Sequence, residues 1–342
     1  MKSVRIHEHG GPEVLRYEDA PEPKIGRDQV LVKVAACSLN HLDLFIRSGL
    51  PGLTLKMPHI LGSDASGQVA EVGEVAGSLK VGDQVLIAPG LSCRYCTECV
   101  SGNDNCCRHY GLLGYAHPGV NAEYVAVPAI NAIRLPGNLS FQEAAAVPLV
   151  FLTAWHMLVG VAKIKMGEDV LIVGASSGIG TAAIQIAKLH HCRVIATAGS
   201  EAKMAMAKQI GADEVINHYK QGIKSEVQRI TEKRGVDIVF EHVGAATWAE
   251  STSSLANHGR LVTCGATTGG EVKLNIHHLF FRQLTLNGTF MGTLGELHKV
   301  VKLFELGKLK AVVDQVFPLS ELGAAHRYLE SKSQFGKVVI SL

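Results

Sequence analysis

The spacing of apolar residues changes about halfway along this chain. Before residue 168, short apolar runs at 30–34, 67–72 and 85–88 are separated by Gly, Pro and Asp. Such runs predict the strands of a small, irregular and mostly antiparallel domain. After residue 168, runs of strand length alternate with stretches whose apolar residues recur every three or four positions. This alternation predicts strand–helix–strand units around a parallel sheet.

The second part of the chain predicts six strands, the size of a doubly wound nucleotide-binding sheet. The predicted strands are 170–173, 194–197, 215–217, 238–241, 260–264 and 284–290, and the predicted helices are 179–189, 202–210 and 294–305. A further helix and a closing strand are expected to rejoin the first domain. We therefore expect an α/β protein with a mostly β domain at 1–149, a doubly wound domain at 150–290 and a return to the first domain at 291–342.

Composition narrows the class of protein. The 342 residues are 47% hydrophobic and 19% charged with a formal net charge of +2, which predicts a globular chain with no nucleic-acid partner. The segment 144–162 is as apolar as a membrane span, but Pro148, Thr153 and His156 interrupt it, so it predicts a buried helix and no membrane insertion. The amino terminus lacks the apolar core of a secretory signal, so we expect a cytoplasmic location.

Four cysteines form a regular comb in the loop 93–107. They are spaced C-x2-C-x2-C-x7-C: Cys93, Cys96, Cys99 and Cys107. Four thiolates can close a tetrahedral shell around one Zn²⁺ with no open position, so the comb predicts a structural zinc site that performs no chemistry. Disulfides are the alternative, but cysteines at three-residue spacing are poorly placed to pair with one another.

A glycine-rich loop follows the predicted strand 170–173 and opens a helix. The candidate contacts to a dinucleotide are Gly174, Ser176, Ser177, Gly178, Ile179 and Gly180. The glycines permit a tight turn and close packing of helix on strand, and the helix amino terminus presents amide donors to a pyrophosphate. The alternative is a glycine turn without a ligand.

The end of the second strand usually decides which nicotinamide cofactor binds. A carboxylate there would hold the adenosine ribose hydroxyls, but this chain has Ala198. Ser200 and Lys203 follow, and a hydroxyl with a cation suits a 2′-phosphate, so we expect NADPH, with NADH possible. The alternative is that Ser200 only caps the next helix.

The chain resembles the medium-chain dehydrogenase/reductase superfamily over essentially its whole length. The resemblance is carried by GGPEVL, the cysteine comb, LGSDASGQVAEVG, GASSGIG and the triplet at 211–213. It implies a GroES-like catalytic domain, a Rossmann domain and an active-site cleft between them. Thr153 matches the residue that packs beside the nicotinamide, and further cofactor contacts are expected at Val243, Gly265, Ala266 and Phe290.

The chain departs from the zinc alcohol dehydrogenases of that superfamily. Cys37 matches their first catalytic zinc ligand, but their Gly-His-Glu motif reads Gly62-Ser63-Asp64, and their later cysteine falls at Leu149. One thiolate is too few for a catalytic zinc. Leu39 and Leu42 also replace the hydroxyl and imidazole of the alcohol proton relay.

The segment from Asn40 to Asp43 resembles instead the zinc-free quinone oxidoreductase and enone reductase branch. Hydride would pass from NADPH to an alkene conjugated to a carbonyl, or to a quinone, and the protein would supply orientation and an oxyanion donor. Asn40 is the candidate donor, or else it holds a strand end. Asp43 is expected to pair with Arg47, either beside the site or as an ordinary surface salt bridge. Cys37, Ser63 and Asp64 complete the candidate catalytic set.

Two other functions stay open. An alcohol dehydrogenase could rebuild a catalytic zinc from Cys37, Asp64 and one of His41, His59 or His156. A nucleotide-binding protein without catalysis could use the same fold. The resemblance further implies a homodimer or homotetramer that pairs through the strand at 284–290, since an edge strand can accept a partner.

Overall fold

The computed structural model describes residues 1–50 and 52–342, which divide into two compact units. Unit 1 contains residues 1–149 and 293–342, and unit 2 contains residues 150–292. The strands are β1 (Lys2–Ile6), β2 (Arg16–Asp19), β3 (Gln29–Ser38), β4 (His59–Ile60), β5 (Asp64–Val72), β6 (Gln84–Ile87), β7 (Gly90–Leu91), β8 (Gly111–Leu112), β9 (Tyr124–Pro128), β10 (Ala132–Arg134), β11 (Asp169–Ile172), β12 (Arg193–Ala198), β13 (Glu214–Asn217), β14 (Val236–Glu241), β15 (Leu255–Thr263), β16 (Thr285–Gly288), β17 (Val313–Pro318) and β18 (Lys337–Ser341).

Eleven α-helices accompany these strands in the described residues. They are α1 (His41–Ser48), α2 (Thr97–Val100), α3 (Phe141–Ala145), α4 (Pro148–Trp155), α5 (Gly178–Leu189), α6 (Glu201–Gln209), α7 (Ile223–Ile230), α8 (Trp248–Ser253), α9 (Ile276–Phe281), α10 (Leu294–Glu305) and α11 (Leu322–Glu330).

Unit 1 is built around β3, whose apolar residues lie in the main core of the unit. A seven-stranded sheet has the order β10-β6-β5-β3-β18-β17, and β9 also pairs with β3. All of its pairs are antiparallel except β17 with β18. The carboxyl-terminal strand β18 therefore lies in the sheet of unit 1, between β3 and β17. Val339 pairs with Ser38 and Ile340 with Cys37, and this register brings the beginning of β18 beside the start of α1.

Unit 2 is a parallel sheet of six strands in the order β13-β12-β11-β14-β15-β16. Its central strands are continuous apolar runs, as expected for strands covered by helices on both faces. Chain order reverses on either side of β11, where β12 lies on one side and β14 on the other. The loop after β11 therefore lies at the point of the sheet where doubly wound folds bind ligands. The predicted α/β class and the six-stranded parallel sheet are confirmed.

The sequence predicted one buried helix over the apolar segment 144–162, but the structure divides this segment. It contains the end of α3, the separate helix α4 and a π-helical stretch at His156–Val161. Pro148 is the first residue of α4, a position where its missing N–H costs nothing, so the segment begins a new helix there. Among the described residues, no helix has the length and apolarity to cross a membrane.

Candidate active site and metal centre

The four comb cysteines lie close together in unit 1. The sulfur of Cys99 lies 3.5 Å from that of Cys96 and 3.9 Å from that of Cys93, and Cys107 lies 3.5 Å from Cys93. Four sulfurs around a tetrahedral zinc are separated by about 3.8 Å when each Zn–S bond is about 2.3 Å. The donor set and its spacing therefore fit a structural zinc, whereas the neighbouring Cys106 is exposed and outside the group.

Backbone amides surround these sulfurs. Cys99 Sγ accepts a hydrogen bond from Arg94 N at 3.3 Å, and Cys107 Sγ accepts one from His109 N at 3.3 Å. Hydrogen bonds from the Tyr95 amide and other donors lower the pKa of Cys93 to about 6. At Cys93 these donors stabilise the thiolate form, which is the form that binds a metal, whereas burial raises the pKa of Cys99 to about 11.

The glycine-rich loop after β11 is closed by Ser177. Its hydroxyl accepts a hydrogen bond from Gly180 N at 2.9 Å and donates to Gly174 O at 2.8 Å, so it caps α5 and joins both ends of the loop. A Cβ at position 180 would lie 2.3 Å from Gly174 O, so only glycine permits this close approach. Ser176, Gly178 and Ile179 are half-buried at the amino terminus of α5, where free amides can hold a phosphate.

The side chain of His242 contacts this loop. The sequence analysis did not predict this residue. Its Nε2 lies 3.3 Å from Ser177 Oγ, and a Cβ at Gly174 would lie 3.1 Å from the same nitrogen. Burial lowers the pKa of His242, so its ring is neutral at neutral pH. The available signal was its position directly after β14, at the same carboxyl edge of the sheet as the loop.

The predicted adenosine-side residues lie at the end of β12 and the start of α6. Ser200 is exposed and its Oγ accepts a hydrogen bond from Lys203 N at 3.3 Å, so it caps α6. Lys203 is half-buried. Burial, together with the nearby charge of Lys203, lowers the pKa of His218. His218 and Tyr219 cover Gly199, where an added Cβ would lie 2.6 Å from the Tyr219 ring. Neither ring was predicted, although both follow β13, the strand beside β12.

The other predicted cofactor residues lie in unit 2. Val243 follows His242, and its amide donates to the buried carboxylate of Glu241 at 2.6 Å. Thr153 is buried with its Oγ1 3.7 Å from Met291 Sδ. Gly265 and Ala266 are exposed just after β15, and Phe290 is exposed just after β16.

A buried polar cluster in unit 1 contains two of the predicted catalytic residues, Asn40 and Asp64. Lys337 Nζ donates to Asn40 Oδ1 at 2.7 Å and to Asp64 Oδ2 at 3.0 Å. Asn40 Nδ2 donates to the same Asp64 oxygen at 2.9 Å. The other Asp64 oxygen accepts from Leu149 N in the first turn of α4 at 2.8 Å. Lys337 was not predicted because it lies in the last strand, far from the motif in sequence.

Asp43 lies beside this cluster without the partner that the sequence predicted. Its Oδ2 accepts from Asn40 N at 2.7 Å, and burial raises its pKa to about 7. Arg47 pairs instead with Glu330 and lies 3.1 Å from His326 Nδ1. Both the Asp43–Arg47 pair and the surface-bridge alternative are wrong, because α1 is covered by other elements and both side chains are buried.

The residues that replace a catalytic zinc site have protein partners. Cys37 Sγ donates to Asn121 Oδ1 at 3.2 Å, and burial together with Asp43 raises the pKa of the thiol far above its usual range. Ser63 Oγ donates to Leu113 O at 2.7 Å, and His59 Nε2 lies 3.1 Å from Gly114 O. Within residues 1–50 and 52–342, the comb is the one group of three or more potential ligands close enough to share a metal. The donor set around Cys37 does not fit a catalytic zinc.

Family comparisons define the class of protein. The alcohol dehydrogenase GroES-like domain matches residues 26–137, and the zinc-binding dehydrogenase domain matches residues 178–305. Together with the parallel sheet and its glycine loop, these domains define an oxidoreductase of the kind that uses a nicotinamide dinucleotide.

Individual relatives cover the whole chain. Quinone oxidoreductase of Lama guanicoe is 32% identical over 350 residues, which cover 100% of this chain and 98% of the relative. NAD-dependent alcohol dehydrogenase of Sulfolobus acidocaldarius is 33% identical over 352 residues, with 100% of both chains covered. A solved structure of an NAD-dependent alcohol dehydrogenase covers both chains fully at 45% identity with a TM-score of 0.97. The chain belongs to the medium-chain dehydrogenase/reductase superfamily.

Replacing one comb cysteine tests the metal centre. We expect Cys96→Ser to remove most of the zinc, from about one ion per chain, and to lower Tm by roughly 5 to 10 °C, because the metal stabilises only the folded loop. Zinc content by mass spectrometry and Tm by calorimetry are the measurements. Cys106→Ser is the matched control and should keep both values. A Cys96→Ser protein with unchanged zinc and Tm would contradict the assignment.

Proposed function

We propose that the chain is an NADPH-preferring reductase of carbonyl-conjugated alkenes or quinones that works without a catalytic zinc. The observation that carries the proposal is the cluster of Asn40, Asp64 and Lys337. Asp64 belongs to the triplet Gly62-Ser63-Asp64, which stands where the resemblance puts the Gly-His-Glu motif of zinc alcohol dehydrogenases. In this chain its carboxylate is held by hydrogen bonds from Asn40 and Lys337.

Asn40 stabilises negative charge on the substrate oxygen in this reaction. When bound, NADPH supplies a hydride to the β-carbon of the alkene, whose electrons move onto the carbonyl oxygen before a proton from water adds to the α-carbon. One hydrogen of Asn40 Nδ2 is donated to Asp64, and the second has no protein partner among the described residues. A fixed neutral amide of this kind can donate to the developing enolate without changing its own charge.

The glycine-rich loop orients the cofactor. Ser177 holds the loop closed, and the amides at the start of α5 bind the pyrophosphate with support from the helix dipole. Thr153, Val243, Gly265, Ala266 and Phe290 are the proposed contacts of the nicotinamide half. The last four follow the carboxyl ends of parallel strands, and Thr153 contacts Met291, which follows β16.

The surroundings of Ser200 favour NADPH over NADH. Lys203 is the cation of this site, His218 and Tyr219 border it, and Ala198 offers no carboxylate that would repel a 2′-phosphate. The capping role of Ser200 does not prevent its hydroxyl from also donating to a phosphate. NADH is the alternative, since the solved structure at 45% identity is of an NAD-dependent enzyme.

Alcohol oxidation is the second candidate function. The names of the Sulfolobus relative and of that solved structure favour it. It would require a zinc held by residues other than the paired Cys37, Ser63 and Asp64 side chains. Zinc content therefore separates the two candidates before any substrate is known.

The first test joins zinc content with substrate preference. We expect about one zinc per chain, and NADPH oxidation that depends on enones or quinones and persists after treatment with a chelator that leaves the comb loaded. About two zinc ions per chain, with chelator-sensitive alcohol oxidation, would replace the proposal with the second candidate. Tight NADPH binding without turnover on either panel would indicate a nucleotide-binding protein.

A charge change tests cofactor preference. Lys203→Ala combined with Ser200→Asp should weaken NADPH binding about 10- to 100-fold and NADH binding at most a few-fold, because a cation is lost and an anion is added beside the 2′-phosphate. Dissociation constants from nucleotide fluorescence are the measurement. Lys208→Ala, an exposed change on the same helix, is the control. Equal losses for the two cofactors would refute the NADPH assignment.

We also propose that two copies pair through β16, which is one of the two edge strands of the described six-stranded sheet. Near this edge, Ile276, Phe281 and Phe290 are 66%, 75% and 55% exposed, and a surface cavity of about 450 Å³ is bordered by Phe281 and Leu286. An exposed apolar patch beside an open strand edge suits a self-complementary partner.

Light scattering tests this pairing. Phe281→Glu should shift the measured mass from a multiple of the chain mass toward one chain, because burying a carboxylate in the contact is costly. Met166→Glu, which is 75% exposed elsewhere in unit 2, should leave the mass unchanged. A wild-type mass of one chain would refute the pairing.

A further inference from the structure

Lys337 contacts the candidate enolate donor but belongs to no motif of the chain. It is 3% exposed and begins β18, while Asn40 precedes α1. In the antiparallel pairing of β18 with β3, Val339 lies opposite Ser38. Extending this register by two residues places Lys337 opposite Asn40, just beyond the last paired residues. Leu39 N also donates to Val338 O at 2.9 Å, which fixes this approach.

We propose that Lys337 is a positioning residue that fixes the side-chain amide of Asn40, a role that rests on the reductase function proposed above. Lys337 Nζ lies 2.7 Å from Asn40 Oδ1, and Asp64 Oδ2 lies 2.9 Å from Asn40 Nδ2. Rotating the amide by half a turn would face Nδ2 toward the ammonium and Oδ1 toward the carboxylate. The two charges therefore select one orientation of the Asn40 amide. Packing alone would hardly distinguish the two orientations, because the oxygen and the nitrogen of the amide have nearly the same size.

The same contacts prepare Asn40 to donate. A cation at the amide oxygen polarises the group and strengthens its N–H bonds as donors. Asp64 takes one of the two Nδ2 hydrogens, so the remaining hydrogen has a fixed direction. A donor held in place before the reaction costs no reorganisation when negative charge develops on the substrate.

The opposite end of α1 supplies a control. Arg47 near the carboxyl end of the helix is anchored by Glu330 and His326, which also belong to the carboxyl-terminal part of the chain. A change at Glu330 disturbs the anchoring of α1 without touching Asn40. It therefore separates loosening of the helix from loss of the amide's orientation.

The test compares two double variants with equal charge, because removing Lys337 alone would leave the Asp64 carboxylate buried without its cation. D64N/K337M removes both charges and the donor to Asn40 Oδ1. D64N/K337Q removes both charges but keeps a donor at that position, on a side chain one atom shorter. E330Q is the control for general loosening of α1.

Two readouts are measured. With an enone as substrate, D64N/K337M should lower kcat about 100-fold while the Kd for NADPH stays within about twofold of the wild-type value. The kcat of D64N/K337Q should be about tenfold higher than that of D64N/K337M. E330Q should keep kcat within about twofold of the wild-type value. Independently of turnover, the Asn40 side-chain amide resonance, assigned by its loss in N40D, should shift and exchange faster with water in D64N/K337M than in D64N/K337Q.

Each result decides the role of Lys337. Equal kcat in the two double variants, with the same Asn40 resonance in both, would overturn the positioning role. A loss of NADPH affinity as large as the loss of kcat would assign Lys337 to cofactor binding and also overturn it. If the wild-type protein reduces neither enones nor quinones, the reductase proposal fails, and the Asn40 resonance alone then decides whether Lys337 fixes the amide.

Discussion

The buried ion pair of Asp64 and Lys337 is the interaction on which the local structure of unit 1 depends. Both side chains are nearly inaccessible, at 0% and 4% exposure, so burying the two charges costs several kcal/mol before any gain. The cost is offset because hydrogen bonds reach both charges, from Asn40 and from the Leu149 amide at α4. Removing one partner would leave an uncompensated charge, a loss of about 3 to 5 kcal/mol. The start of α1, the start of α4 and strand β18 are thus fixed by one pair.

Unit 2 uses a buried carboxylate in a comparable way. Glu241 at the end of β14 accepts hydrogen bonds from the amides of Val243 and Gly244 and from the hydroxyls of Thr247 and Ser251. Four donors to one carboxylate hold the chain that follows β14 against the edge of the sheet. His242, the next residue, is thereby placed under the glycine-rich loop. In both units, a satisfied buried charge determines the shape of loops that are candidate binding sites.

Features that depend on neighbouring residues could be predicted from the sequence, and features that depend on distant pairing could not. The glycine-rich loop and the cysteine comb are local patterns, and strand–helix alternation was sufficient for the six-stranded sheet. Lys337 reaches Asn40 only through the register of β18 on β3, which no local pattern contains. The prediction of an Asp43–Arg47 pair was wrong because it used local spacing alone. Their spacing of four residues placed them on one helix face, but it did not show which elements cover that face.

The protonation of Cys37 bears on the proposed reaction. A thiolate at this position would stand beside Asp43 and Asp64 with only Lys337 to compensate, and burial with these carboxylates raises the thiol pKa accordingly. The thiol therefore stays protonated and donates a hydrogen bond to Asn121 Oδ1. Ser63, in place of a histidine ligand, likewise donates to a backbone carbonyl. In the proposed reaction, negative charge on a substrate would therefore be stabilised by the oriented amide of Asn40 and not by either of these groups.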